Sequence, residues 1–245
     1  MIKLYLGNVG GGKTAVSVKE MMFTDRHIFS NIETKGIKNN HIITKDMIFK
    51  KEVKSIKKNG QVIYDLKLNV EFWKEARKKY NALTVIIDEA HNVMNSRRAM
   101  SKANIVMGDF LALLRRIVGG KGSDTGELIL ISQLERRLDP IAKDMATLIK
   151  YFKCYYVKIC LKCNYSWNEN NETNEPKETC PKCGGKYKTD KHSIYVHCFK
   201  SVDAFKYWHD FGLRTYFRKY VIDDIQDYFP KYNTLQWNNL ISKVY

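Results

Sequence analysis

Eight residues near the start of the chain, Gly7-Asn8-Val9-Gly10-Gly11-Gly12-Lys13-Thr14, satisfy the pattern GxxxxGK[ST]. That spacing suits the binding of a nucleoside triphosphate. Glycines admit positive φ and let backbone N–H groups curl around phosphate oxygens, while the helix that follows points the positive end of its dipole at them. Lys13 is expected to reach the outer phosphates as a point charge, and the Thr14 hydroxyl to coordinate Mg²⁺. The match lies between an apolar strand and a helix, which argues against an ordinary glycine-rich turn.

A second cluster is Val85-Ile86-Ile87-Asp88-Glu89-Ala90-His91, where an apolar run delivers two adjacent carboxylates to a strand end. Asp88 is expected to hold the Mg²⁺ water shell, and Glu89 to polarise the water that attacks the γ-phosphate. Alone, such a pair also fits solvated acids at a strand end; beside the glycine loop the catalytic role is preferred. Gln133 ends another apolar run, LILIS, and its amide could touch the γ-phosphate or the attacking water, with a plain polar strand terminus as the alternative. Phosphoryl transfer further benefits from an arginine opposite the developing charge. The doublets Arg115-Arg116 and Arg136-Arg137 are available to a neighbouring subunit, Arg116 first and Arg137 next, although arginines near a helix end also serve as ordinary surface charges.

Cys160-x-x-Cys163 and Cys180-x-x-Cys183 are separated by sixteen residues, the spacing of a four-thiolate zinc ribbon. Such a closed tetrahedral site is structural, with disulfides or redox chemistry as the alternatives. Around it, Tyr165, Trp167, Lys182, Lys186, Tyr187 and Lys188 mix aromatic faces with charge, which suits either nucleic acid or an aromatic mini-core. Cys154 and Cys198 read as buried free thiols, and His91, His192 and His197 have no evident ligand role.

The elements that must position these groups follow from periodicity. Ile2 to Leu6 reads as a buried strand, Thr14 to about Phe23 as a helix, and Arg26 to Ile32 as a second strand. Asn59-Gly60 predicts a hairpin turn and Val70 to Tyr80 a helix; Leu83 to Ile87 and Leu128 to Ile131 predict buried strands. A single helix is expected around Ala103 to Ile117. Alternating strands and helices imply an α/β fold with a mostly parallel sheet. Composition shifts beyond about residue 150, giving a nucleotide-binding core at 1–153, a strand hairpin with an inserted zinc ribbon at 154–198, and an aromatic-rich segment at 199–245 expected to pack on the core.

The balance of 42 basic against 26 acidic residues, a formal charge of +16, suits polyanionic partners, although a lysine-rich solvated surface gives the same count. No apolar stretch reaches the length of a membrane helix and no signal peptide opens the chain, so a cytoplasmic protein is expected.

The order GNVGGGKT, VIIDEAH, LILISQ and then LERRLDPIAKDMA resembles the FtsK–HerA superfamily of DNA translocases, particularly its small viral genome-packaging ATPases, with Zot-like proteins of filamentous phages as relatives. The resemblance covers residues 1 to about 150. It implies a RecA-like (ASCE) P-loop NTPase sheet with the Gln133 strand between those of Lys13 and Asp88. It also implies a homo-oligomeric ring that moves double-stranded DNA at the expense of ATP, with an arginine supplied in trans. The lack of a membrane segment counts against a Zot-like assembly or secretion role, and the lack of a large accessory domain favours a compact packaging motor over a chromosome translocase. The expected function is thus a motor acting on a capsid in the host cytoplasm, with a Zot-like assembly or secretion protein or a helicase as the alternatives.

Overall fold

The computed structural model describes residues 1–95, 97, 101–119, 126–133, 135–170, 172 and 177–233, with the backbone alone for Leu114 and Arg115. The glycine-rich link at 120–125, part of the polar loop at 168–178 and the final positions 234–245 lie outside the described residues.

The apolar run at the start forms β1 (Ile2–Leu6), flanked in parallel by β7 (Glu127–Ser132), which in turn pairs in parallel with β6 (Leu83–Ile87). The strand leading to Gln133 thus lies between those leading to Lys13 and Asp88, as expected. β2 (His27–Ser30) and β3 (Asn40–Ile42) continue the parallel sheet beyond β6. On the other side of β1 comes β8 (Leu148–Cys160), parallel to it over Leu148–Tyr151, followed by β10 (Tyr187–Phe199) and β11 (Arg218–Ile222), each antiparallel to its neighbour. Among the described residues the order is β11-β10-β8-β1-β7-β6-β2-β3, and β9 (Ser166–Asn170) pairs with the distal half of β8. The mostly parallel α/β sheet read from the sequence is present.

Alternation along the central strands feeds two cores. Leu4, Leu6, Val85, Ile87, Leu128 and Leu130 face one layer with Trp73 of α3 (Val70–Tyr80) and Phe110 of α4 (Lys102–Ala112). Tyr5, Ile86, Ile129 and Ile131 face the other, with Ala15, Val18 and Met21 of α1 (Lys13–Met22). Strands covered on both faces need apolar side chains on both, which explains why LTVII is buried throughout.

α2 (Lys45–Ile48) leads into a separate antiparallel pair, β4 (Phe49–Ile56) and β5 (Val62–Leu68), turned at Asn59-Gly60 with Gly60 at φ 80°. The helix expected over Ala103–Ile117 is instead two pieces. Leu113 (φ −91°, ψ 0°) ends α4, and α5 (Leu114–Val118) follows. Helical periodicity alone does not register the break, because apolar residues on both sides of it, Phe110 and Leu111 then Ile117 and Val118, are buried.

α6 (Pro140–Asp144) starts with Pro140 at the first helical position and the Asp139 side chain accepting from Ile141 N–H. α7 (Val202–Phe211) is capped by Ser201 and closed by left-handed Gly212. Its Phe205 and Trp208 rings pack on Tyr151 of β8 and Phe199 of β10. A 3-10 segment, Ile225–Lys231, lies against α1 on the opposite face, with Ile225 wholly buried. Among the described residues no helix is long and apolar enough to cross a membrane.

Candidate functional site

β1 ends at Leu6, and the next six residues make the loop that turns into α1. Gly7, Gly10 and Gly12 take φ of 146°, 72° and 85°. The loop is also tightly backed. A Cβ at Gly7 would lie 2.4 Å from the Phe152 carbonyl oxygen of β8, and one at Gly12 would lie 2.0 Å from Cδ1 of Ile194 on β10. Gly12 caps α1 with no side chain over its free N–H groups.

Lys13 opens the helix and is buried, its Nζ donating to the Gly7 and Asn8 carbonyls at 2.8 and 3.0 Å. Burial lowers its pKa, against the opposing pull of Asp88 and Glu89. Thr14 Oγ1 donates to Asp88 Oδ2 at 2.7 Å, so the two groups expected at Mg²⁺ meet across the gap between α1 and β6. Burial pushes the Asp88 carboxyl above its usual range, opposed by the Thr14 hydrogen bond. Oxygen ligands from a hydroxyl and a carboxylate at this spacing fit Mg²⁺.

Behind them, Asn31 satisfies both backbone groups of Asp88. Its Nδ2 donates to the Asp88 carbonyl at 2.9 Å, and its Oδ1 accepts from the Asp88 N–H at 2.7 Å. Sequence reading missed this residue because a lone Asn after a strand carries no motif. Glu89 takes a left-handed φ of 52°, turning it away from Asp88. Gln133 Nε2 donates to Glu89 Oε1 at 2.7 Å. Glu89 Oε2 is buried with no hydrogen-bond partner among the described residues, and its nearest ion-pair neighbour is His91 Nδ1 at 3.2 Å. Burial lowers the His91 pKa, Glu89 raising it and Arg137 lowering it.

Most of these groups, Asn31 and His91 included, border one cavity of about 1130 Å³. Gly10 to Thr14, Asp88, Glu89 and Gln133 line it together with Tyr156, His192, Ile225, Phe229 and Tyr232, the last near enough to Asp88 for burial, helped by that carboxylate, to raise its pKa. The aromatic part of the lining has a partial signature in sequence, since Phe152, Cys154 and Tyr156 share a face of β8 by alternation. Nothing marks the 3-10 segment as part of the site. Cys154 and Cys198 are buried and in no disulfide among the described residues, as expected.

The arginines fall elsewhere. Arg137 is exposed on the 3-10 turn Glu135–Arg137, after Gln133 and near His91. Arg116 is exposed on α5, its carbonyl accepting from Arg77 at 2.9 Å. The end of α5 meets the start of β6, since a Cβ at Gly126 would touch the carbonyls of both Val118 and Leu83. Arg116 therefore lies towards the amino-terminal end of β6, the end away from Asp88. The side chain of Arg115 lies outside the described residues.

A second site closes at the tip of β8 and β10. The sulfurs of Cys160, Cys163, Cys180 and Cys183 lie within 4.8 Å of one another. Tetrahedral Zn–S bonds of about 2.3 Å imply S···S separations of roughly 3.8 Å. Cys160–Cys183 at 3.5 Å and Cys163–Cys180 at 3.7 Å fit that geometry. Burial would raise the Cys160 thiol, but the N–H groups of Cys163 and Lys162 donate to its sulfur and pull it down to about 6. The cluster points to a zinc site. Nearby, Tyr165 stacks on Trp167 at 6.2 Å, Trp167 meets Tyr187 at 5.4 Å, and Lys158 pairs with Glu169 at 2.7 Å with both side chains buried. These rings touch one another yet stay partly open to solvent, Tyr165 at 42% exposure, and Lys182, Lys186 and Lys188 are exposed beside them.

A family model described as Zonular occludens toxin (Zot) matches residues 1–198. The fold is similar to the N-terminal domain of zonular occludens toxin from Neisseria meningitidis, with TM-score 0.50 and 17% identity over 95% of this chain and 98% of that one. A weaker likeness joins it to the genome packaging NTPase B204 from Sulfolobus turreted icosahedral virus 2 in complex with ATP-gammaS, with TM-score 0.39 and 19% identity over 62% of this chain and 74% of that one. No curated protein matches the chain.

Proposed function

We propose, because the chain belongs to the Zonular occludens toxin (Zot) family, that it is a magnesium-dependent ATPase whose nucleotide cycle drives virion assembly or secretion. The ATPase half is carried by one observation. The 2.7 Å pairs Thr14–Asp88 and Gln133–Glu89 face a single cavity behind the glycine loop. The assembly half is supported by the family match and by the resemblance to Zot-like proteins of filamentous phages. On the sequence a packaging motor comes first, because no membrane segment or large accessory domain is read in it and the motifs it shares with both groups stop near residue 150. The match runs on through β8 and most of β10 to residue 198, and that reverses the ranking.

In this mechanism Lys13 leaves the Gly7 and Asn8 carbonyls for the outer phosphates, and loop N–H groups hold the rest of the chain of phosphates. Thr14 and Asp88 would hold Mg²⁺, which would supply charge neutralisation on the phosphate oxygens. Glu89, steadied by Gln133 at Oε1, takes the proton of the attacking water through Oε2, the oxygen that faces His91 and accepts no hydrogen bond among the described residues. The new P–O bond forms as the bond to the β-phosphate oxygen breaks, giving ADP and phosphate. Arg116, remote from its own chain's cavity, serves the nucleotide of a neighbour in a homo-oligomer, with Arg137 as second choice.

A DNA translocase is the second function to test, favoured by the charge of +16. Purified protein should hydrolyse ATP with magnesium. Lys13→Ala should abolish nucleotide binding, and Glu89→Gln should retain binding while turnover drops by about 10² or more. Stimulation by a virion coat protein, with indifference to duplex DNA at physiological salt, supports assembly. Stimulation by DNA alone would transfer the function to translocation.

A further inference from the structure

The triphosphate accounts for only part of the cavity lining. Tyr156 of β8, His192 of β10 and Phe229 and Tyr232 of the C-terminal segment border the same space as Lys13 and Asp88. His192 meets Phe229 edge to face at 5.4 Å and Tyr156 at 6.0 Å. Phe229 is 36% exposed although its neighbour Ile225 is wholly buried.

The segment bearing Phe229 is fastened at several points. Lys35 N–H donates to the Lys231 carbonyl at 2.7 Å, Thr34 bridges to Tyr232, and His192 N–H donates to Gln226 Oε1 at 3.2 Å. Aromatic faces left open on a cavity wall keep an unfavourable hydration that a flat apolar ligand would relieve. Burial depresses the His192 pKa, so at neutral pH its ring presents an uncharged face.

We propose that Tyr156, His192, Phe229 and Tyr232 form a nucleobase subsite, which takes the base of the nucleoside triphosphate by aromatic stacking. It rests on the phosphate-site function given above and adds to it the recognition of the base. It also gives the C-terminal segment a purpose, that of completing the nucleotide site from a part of the chain far from the glycine loop in sequence.

The test compares two probes in the presence of magnesium: ATP, and inorganic tripolyphosphate, which has the phosphates and no base. In Phe229→Ala and His192→Ala, ATP affinity should fall about tenfold, the range expected for loss of one stacking partner. Tripolyphosphate affinity should stay within about twofold, which also shows that the loop remains folded. Unchanged ATP affinity, or equal losses for both probes, would overturn the subsite while leaving the phosphate site in place. Failure of the unaltered protein to bind either probe would overturn the phosphate site, and the base subsite with it.

Discussion

Asp88 carries a conflict between stability and chemistry. It is buried beside Thr14, and burial raises its pKa in the nucleotide-free protein. A raised folded-state value means that the native state binds more protons than the unfolded chain between the usual carboxylate pKa, 3.8, and the higher folded one. Stability from this residue is therefore greatest below the usual value and declines as pH climbs through the raised one. Asp88→Asn should remove that decline and raise the Tm of the nucleotide-free protein at neutral pH, while abolishing magnesium-dependent hydrolysis. Scanning calorimetry across pH, with an ATPase assay, checks both; a lower neutral Tm would refute the account. Asn31 makes a separate case, since it satisfies two backbone groups of Asp88. Asn31→Ala should lose about 1–3 kcal/mol of stability through the orphaned partners, measured by urea unfolding.

The elements around the glycine loop explain why two glycines of one motif should respond differently. A Cβ at Gly7 would strike the backbone of β8, whereas at Gly12 it would strike the tip of a flexible isoleucine. Gly7→Ala should abolish ATP binding with no simple rescue. Gly12→Ala should be partly rescued by Ile194→Ala, with a coupling of about 0.5–3 kcal/mol in a double-mutant cycle. Residual strain from positive φ at both sites limits any recovery. The same strands reach from the loop to the cysteines, as the β8–β10 ladder runs from Ile149↔Phe199 to Cys160↔Tyr187. Cys163→Ser should drop bound zinc from one per chain to near zero by elemental analysis. ATP affinity should persist, because the ladder next to Phe152 and Ile194 is built from backbone pairs and buried side chains rather than from the metal. Parallel loss of ATP affinity would show that the zinc knuckle holds the loop's rear wall.

For the whole molecule the open question is what the positive charge meets. If DNA contact is only electrostatic, association at about 50 mM salt should weaken by roughly a hundredfold or more by 200 mM, with little effect on ATP turnover. Turnover that tracks DNA occupancy at the higher salt would instead identify a translocase. The position of Arg116, towards the end of β6 that lies away from its own cavity, makes oligomer formation a matching test. Arg116→Ala should lower kcat without changing ATP affinity if a neighbour's nucleotide is its target.

Local chemistry set what the chain declares in its sequence. The glycine loop, the paired acids and the cysteine spacing are contiguous, and so are the apolar runs of β1, β6 and β7, because phosphate wrapping, metal knuckles and buried strands each need a few residues in fixed order. Tertiary structure decided what depends on residues distant in sequence. Asn31 stands 57 positions from Asp88, whose backbone it clamps, and Phe229 approaches the loop only because β10, β11 and the 3-10 segment fold back beside α1. Their side chains are ordinary by type, and no periodicity distinguishes a ring that fills a core from one that borders a nucleotide. Only closure of the sheet around the loop separates the two, since it fixes which aromatic faces are covered by protein and which stay open to the cavity.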